Sequence, residues 1–210
     1  MNGVYLNYMK KPTHRLENKL RKSGYRLIAG VDEVGRGAWA GPLVAAAVIL
    51  PANCKIKGVN DSKKLTPAHR EKLYPQIIKT AVEYSFCVIS QKQIDRMGIS
   101  PANKMALRGA VSKLKTKPHY VLVDGFPLIF RSIESQAVIR GDSQIFSIAA
   151  ASIIAKVFRD RIMRKYHIKY PGYNFDENKG YGTRQHHRQL KALGICDLHR
   201  LSFEPMKSFR

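Results

Sequence analysis

Two carboxylates stand side by side in "AGVDEVGRGAWAGPLV", Asp32 and Glu33, between an apolar run and a glycine-rich loop carrying Arg36. Further along, Asp124 closes the apolar segment "HYVLVDG" and Asp142 closes "SQAVIRGD". In open α/β sheets, sites gather beyond the carboxyl ends of strands, where such tips can converge. Gathered carboxylates repel one another, and relieving that by protonation requires large upward pKa shifts. Divalent cations relieve it directly. A donor set of carboxylate oxygens without Cys or His suits Mg²⁺ or Mn²⁺. Two such ions, about 3.5–4 Å apart, can clamp the attacking and leaving oxygens of a phosphodiester. Any one of these acids taken alone is more often a turn residue or a helix cap, and Asp124-Gly125 reads as a turn. Convergence is what separates the two readings.

The loop "GRGAWAGP" places Gly35, Gly37 and Gly41 close together. Glycine lets backbone approach a ligand and frees N–H groups to point at it. Such a loop can cradle a phosphate or a sugar hydroxyl, with Arg36 adding charge. It is neither a Walker loop nor a dinucleotide fingerprint, and by composition alone a demanding hairpin turn explains it as well.

The chain has 210 residues, 37 Lys+Arg and 15 Asp+Glu, a formal charge of +22. With 44% hydrophobic residues it can bury a core and is no disordered basic tail. That excess of positive charge concentrates polyanions, nucleic acid first and acidic membrane second. Cys54, Cys87 and Cys196 lie far apart and outside any CxxC spacing, which argues against a disulfide framework or a zinc site and for a reducing compartment. The opening "MNGVYLNYMKKPTHRLENKLRKSGY" lacks the apolar core of a secretory signal. No apolar run nears the ~20 residues of a membrane span. A cytoplasmic protein is expected.

The elements that must position the acids follow from pattern. "THRLENKLRKSG" predicts a short helix capped by Thr13 and stopped at Gly24. "YRLIAGV" and "PLVAAAVIL" predict two strands joined by a short loop, hence antiparallel. "LTPAHREKLYPQIIKTA" predicts a helix with Thr66 as cap, Pro67 at its first position and Pro75 kinking or splitting it. "VEYSFCVIS" is a third strand, and "SPANKMALRGAVSKLK" a helix starting at Ser100 and Pro101. Strands ending at Asp124 and near Asp142 follow. "SQIFSIAAASIIAKVFRDRIMRKYHIKY" then predicts a long helix halted by Pro171, its small residues allowing close approach to a sheet. Strands first, then alternation, predict one mixed sheet covered by helices.

The whole resembles the ribonuclease HII family, the type 2 ribonucleases H. The likeness is carried by "AGVDEVGRGAWAGPLVAAAVIL", "DSKKLT", "VLVDG", "IRGDSQIFSIAAASIIAKVFRD" and "YPGYNFDENKGYGTRQHHRQLKALGICDLHRLSF", in the family's order over roughly residues 25–205. The Gly-Arg-Gly loop and the short N-terminal segment separate it from the sister family, ribonuclease HIII. The resemblance implies an RNase H-like α/β fold: a mixed five-stranded sheet flanked by helices, with a C-terminal helical extension. Residues 1–24 would form an N-terminal helical segment, 25–170 the catalytic core and 171–210 a substrate-binding helical part. It implies hydrolysis of the RNA strand of RNA–DNA hybrids, and incision of duplex DNA 5′ to embedded ribonucleotides, leaving 3′-hydroxyl and 5′-phosphate. By motif, Asp32, Glu33, Asp124 and Asp142 would hold Mg²⁺ or Mn²⁺. Gly35, Arg36 and Gly37 would sense the 2′-hydroxyl at the RNA–DNA junction, and Tyr181 would stack on the following deoxyribose. A monomer is implied.

Ser62, Lys63 and Lys64 follow a Gly/Asn-rich turn and can bind backbone phosphate, or form an ordinary basic turn. Lys156 is a candidate phosphate contact, and a surface ion pair with Asp160, four residues on, is its bland alternative. His186 and His187, adjacent on a helix, point different ways and make poor joint metal ligands. "QLKAL" (189–193) has a faint likeness to a sliding-clamp peptide but lies in a predicted helix. Two rivals remain: a non-catalytic basic nucleic-acid binder, against which the acids speak, and a DNA nuclease or recombinase of similar fold.

Overall fold

Leu43–Ile49, "LVAAAVI", is buried along its whole length, the signature of a central strand covered on both faces. In the computed structural model, which describes residues 11–209, this strand (β2) sits inside a five-stranded sheet. β1 (Ile28–Val34) pairs antiparallel with β2, and β2 antiparallel with β3 (Glu83–Ile89). On the other side β1 runs parallel to β4 (Tyr120–Asp124), and β4 parallel to β5 (Glu134–Val138). The spatial order is β3-β2-β1-β4-β5. This is the mixed α/β architecture expected.

Alternation along β2 assigns the two layers. Leu43, Ala45, Ala47 and Ile49 pack with Ala102, Ala106, Leu107 and Ala110 of the helix α4 (Ile99–Ser112). Ala46 and Val48 face the opposite way, toward α2 (Pro67–Thr80) and the long α5 (Phe146–Lys169). α5 approaches β1 so closely that a Cβ on Gly30 would lie 2.3 Å from the carbonyl carbon of Ser147 and 2.5 Å from the amide of Ile148. The small-residue run Ala149–Ala151 is fully buried there.

The N-terminal helix α1 (Arg15–Lys22) has a structural task that its sequence hides. α5 carries no side-chain cap of its own. Instead Glu17, 1% exposed, accepts hydrogen bonds from the backbone N–H and hydroxyl of Ser147, each at 3.0 Å. A carboxylate thus closes the positive end of α5 from a distant element. The C-terminal part consists of α6 (Phe175–Asn178), α7 (Arg184–Leu193) and α8 (Glu204–Lys207). It gathers around Tyr173, Phe175, Leu190, Leu198 and Met206, joined to the core through Ala40 and Met163. Among the described residues no helix is long and apolar enough to cross a membrane.

Several local expectations are corrected. α1 is capped by His14 without a side-chain bond, because Thr13 is drawn into a bridge with Ile145. Pro75 does not split α2, which runs through it. α4 begins at Ile99 behind Gly98 rather than at Ser100. A further helix, α3 (Gln91–Met97), was legible only in the Ser90–Gln93 capping box that starts it. β1 extends through Asp32 and Glu33, so these acids belong to the strand instead of following it. β5 stops at Val138, and Asp142 lies beyond it in a 3-10 turn, Gly141–Ser143. Residues 1–10 of the expected N-terminal segment fall outside the described residues.

The contact at Gly30 makes a sharp prediction. Gly30→Ala should lower the unfolding free energy by about 1–3 kcal/mol or more, since backbone must move to admit the methyl. Thermal unfolding measures it, and an unchanged midpoint would contradict the close docking of α5.

Candidate active site

Successive side chains leave a strand on opposite faces, so Asp32 and Glu33 cannot point the same way. Asp32 shares the side of Gly30, facing α5, and is 5% exposed. Its Oδ1 accepts the Glu33 amide at 2.7 Å. Asp124 ends β4, one step past the Val31–Val123 pairing with β1. Its Oδ1 accepts the Gly141 amide at 2.6 Å, which ties the turn carrying Asp142 to the tip of β4. One carboxylate oxygen each from Asp32, Asp124 and Asp142 then lies within 4.8 Å of the others.

Glu33 exits toward α4, outside that triple. Its Oε2 is buried without a hydrogen-bond partner, as are both amide atoms of Asn103 on α4. Unpartnered buried polar atoms are rare enough to require a reason. Burial, and next the charge of Asp124, hold the Glu33 carboxyl above its ordinary value, while the nearby Asn103 amide opposes the rise. Thus Glu33 feels the same site from the other face of the sheet.

Burial and mutual repulsion act together on these acids. Burial first, then the charges of Glu33, Asp124 and Asp142, push the Asp32 carboxyl well above the usual range. Burial likewise raises Asp124, against the Gly141 and Asp142 amides, and raises Asp142, helped by Asp124. One cation reaches in from the described residues: Lys63 Nζ stands 3.5 Å from Asp142 Oδ2, with its side chain 80% exposed. Burial pulls the Lys63 ammonium down, but Asp142, Asp32, Asp61 and Asp124 outweigh it and hold it raised.

The glycine-rich loop is clamped by two arginines that, among the described residues, contact no carboxylate within ion-pair distance. Arg159 and Arg200 are both fully buried. Arg159 donates to the carbonyls of Pro42 (2.8 Å), Lys179 (2.8 Å) and Ala40 (3.2 Å). Arg200 donates to Gly41 (3.1 and 3.0 Å) and Arg36 (2.9 Å). Burial, and then Arg159, push Arg200 down to about 9, still a cation at neutral pH. Gly35 is glycine by necessity: its φ is +89°, and a Cβ would lie 2.2 Å from Arg159 Nε. At Gly37 a Cβ would meet nothing within 4 Å, so the loop opens outward there, next to exposed Arg36.

Tyr181 lies against the same cations, its ring 5.3 Å from the Arg159 guanidinium and 5.7 Å from Lys156 Nζ. Its backbone is held by a buried histidine pair. His186 Nδ1 sits 3.0 Å from the Tyr181 carbonyl, His186 Nε2 3.1 Å from His199 Nε2, and His199 Nδ1 accepts the Cys196 amide at 2.9 Å. Two neutral rings satisfy this chain of bonds: His186 donates from Nδ1, His199 donates from Nε2 to His186 Nε2, and His199 Nδ1 is left to accept the Cys196 amide. Burial, then His186, pushes His199 down to about 4. His187, by contrast, is part-exposed and edge-on to Trp39.

The remaining basic candidates separate. Ser62 turns inward, accepting from Ser152 at 2.7 Å, while Lys64 is exposed. The Lys156–Asp160 pair, 2.6 Å apart, is largely buried rather than on the surface, and Asp160 also meets Arg70 at 3.7 Å. Arg70 in turn donates to the Ser62 carbonyl at 2.8 Å, so Asp160 supports the turn that presents Lys63. Leu190, within "QLKAL", is buried in α7, which leaves that segment committed to packing. The sequence reading missed Arg159, Arg200, Asn103 and the His186–His199 pair as parts of the site. Their only signal was polar residue types inside otherwise apolar helices and turns.

Comparison with known proteins agrees with this geometry. The family model for ribonuclease HII matches residues 29–206. A curated ribonuclease HII of Listeria monocytogenes is 50% identical over 191 residues, 91% of this chain and 73% of that one. One from Caldicellulosiruptor bescii is 47% identical over 188 residues, 90% of this chain and 91% of that one. The crystal structure of ribonuclease H2 from Pyrococcus horikoshii superposes with a TM-score of 0.73 at 29% identity, covering 87% of this chain and 96% of that one. A ribonuclease HII from Archaeoglobus fulgidus, solved as a complex with PCNA, gives 0.71 at 27% identity, with the same coverage. Fold, gathered acids and these likenesses together define a metal-dependent ribonuclease H, an endonuclease acting on the RNA of RNA–DNA hybrids. Within that class, the chain belongs to the ribonuclease HII family.

Two predictions follow from the charges. Replacing Asp32 by Asn removes one of three mutually repelling buried carboxylates, so the metal-free variant should be more stable by about 0.5–2 kcal/mol, read from denaturant unfolding at pH 7. For His199 the folded pKa lies below the unfolded one, so the unfolded chain binds more protons. Stability is therefore intact above the ordinary imidazole value of 6.5 and lost as pH falls toward about 4. The slope reaches at most roughly 1.4 kcal/mol per pH unit for this group. His199→Gln should flatten unfolding midpoints across that window; an unchanged pH profile would refute the neutral pair.

Proposed function

We propose that this enzyme incises duplex DNA on the 5′ side of an embedded ribonucleotide, besides cutting RNA in hybrids, and that it does so with two Mg²⁺ or Mn²⁺ ions. The convergence of Asp32, Asp124 and Asp142 within 4.8 Å carries the reading. The donor set fits a hard divalent cation: all oxygens, mutually repelling, with Glu33 Oε2 buried and unpartnered alongside. Asp32, Asp124 and Asp142 would hold the metal, Glu33 completing the set from the α4 face. When bound, such ions supply positive charge that stabilises the attacking and leaving oxygens of the phosphodiester.

The chain's own groups do the rest. Lys63, exposed and directed at Asp142, meets a scissile phosphate that approaches the acids. Gly35, Arg36 and Gly37 offer backbone to a ribose, the two buried arginines keeping that backbone from yielding. The open space at Gly37 is where a 2′-hydroxyl fits. Tyr181 packs its ring against the next sugar, oriented by the cations behind it. Lys156, held by Asp160, adds field strength more than direct contact. The free cysteines suit work in the reducing cytoplasm.

The test is incision of a duplex holding one ribonucleotide, supplied with Mg²⁺ or Mn²⁺, beside Asp124→Asn and Gly37→Ala. Asp124→Asn should lose about 10²-fold or more in rate. Gly37→Ala should keep its unfolding midpoint yet lose about tenfold or more at the ribonucleotide, because a methyl enters space that only substrate uses. Undiminished cutting by Asp124→Asn would sink the proposal.

A further inference from the structure

Beyond Tyr181 the structure holds a second concavity that the site above does not use. It is a cleft of about 620 Å³ lined by Trp39, Gly182, Thr183, Arg184, His187 and Arg188. Its wall is fixed on both sides. The Trp39 amide donates to Gly180 at 2.8 Å, and the Trp39 carbonyl accepts the Arg200 amide at 2.8 Å. The indole lies so tightly on Gly182 that a Cβ there would be 2.1 Å from Trp39 Cζ2. Thr183 accepts the His186 amide at 3.1 Å and starts α7, which carries Arg184 and Arg188 one turn apart on one face.

The charges in this cleft are uncompensated. Arg184 and Arg188 are exposed, and among the described residues neither meets a carboxylate or any hydrogen-bond acceptor. Glu177, the acid near this helix, is occupied by Gln185 at 3.1 Å. Arg161 and Arg164, on α5, are by contrast both neutralised by Glu71. Two free guanidiniums spaced along a helix, beside a rigid aromatic wall, match a row of phosphates and the sugars between them.

We propose that this cleft is a backbone-phosphate subsite gripping the duplex flank beyond the junction, with Arg184 and Arg188 each on a phosphate and Trp39 against the intervening sugar. It rests on the reading of Tyr181 as the junction contact, whose next residue, Gly182, already lines the cleft. The subsite carries no sequence information, since phosphate contacts position a protein without specifying bases. It sets affinity for long duplexes and leaves the hydrolytic step to the acids.

Trp39 is the chain's one tryptophan, so its emission reports on this cleft alone. Saturating the protein with a ribonucleotide-containing duplex long enough to fill the cleft should change that emission; a duplex trimmed at the junction should not. For Arg184→Ala/Arg188→Ala on the long duplex, KM should rise about tenfold, with kcat within about twofold. The slope of log Kd against log salt should shrink by roughly 2, and Arg184→Lys/Arg188→Lys should restore it. On the trimmed duplex the variant and the parent should coincide. An unaltered slope, or silent Trp39 emission at saturation with the long duplex, overturns the subsite, as does a rate loss equal on both duplexes. Because slope and emission are read on binding, a chain unable to cut at ribonucleotides would sink the junction reading, while these two readouts still decide the subsite.

Discussion

Three carboxylates held within 4.8 Å of one another, Asp32 and Asp142 buried and Asp124 half-buried, form an arrangement that the fold must impose against its own electrostatics. At an effective dielectric constant of about 20, like charges 4 Å apart repel by roughly 4 kcal/mol, a sizeable fraction of a typical domain's stability. Only a stiff frame can hold them. Its stiffness comes from β1 and β4, parallel and central, and from α5 pressed onto Gly30 with almost no intervening side chain. Glu17 from α1 then caps α5, so even the N-terminal helix contributes to keeping the sheet and its acids in place.

A second constraint shapes the loop. Loops that contact substrate are usually the mobile parts of a protein. Here the Gly35–Gly41 loop is bound through its carbonyls to Arg159 and Arg200, which make four hydrogen bonds to it and two more to the flanking Pro42 and to Lys179. Carbonyl oxygens solvate the guanidiniums without cancelling their charge. The result is a rigid loop with positive potential behind it, facing a cluster of negative charge. A phosphodiester entering between the two meets both, and precise placement is what such chemistry requires. The His186–His199 pair extends this rigidity to Tyr181, at the expense of tolerance to acid.

Much of this was legible in the chain. The strand at 43–49, the antiparallel hairpin, the long α5 and the Thr66–Pro67 helix start all follow from periodicity and capping chemistry, which are local. Candidate acids could be picked because each lies beside an apolar run. What misled was also local. Pro75 looked like a break, yet α2 continues through it because Leu73 and Ile77 are anchored in the core on either side. Asp32 and Glu33 remain joint candidates, but their adjacency in sequence hides that the pleat sends them to opposite faces.

By itself, then, the sequence determined which residues could carry charge, where helices and strands begin, and that an anionic polymer is the natural partner. These depend on residue type and on spacing within a few positions. Only the tertiary structure decided that Asp124 and Asp142 meet Asp32, that Glu33 stands apart beside Asn103, and that Arg159 and Arg200 serve one loop from positions 41 residues distant in the chain. Such meetings are set by strand register and helix docking, where one residue of slip reverses every side chain, and no local pattern encodes which distant partner will fill the space.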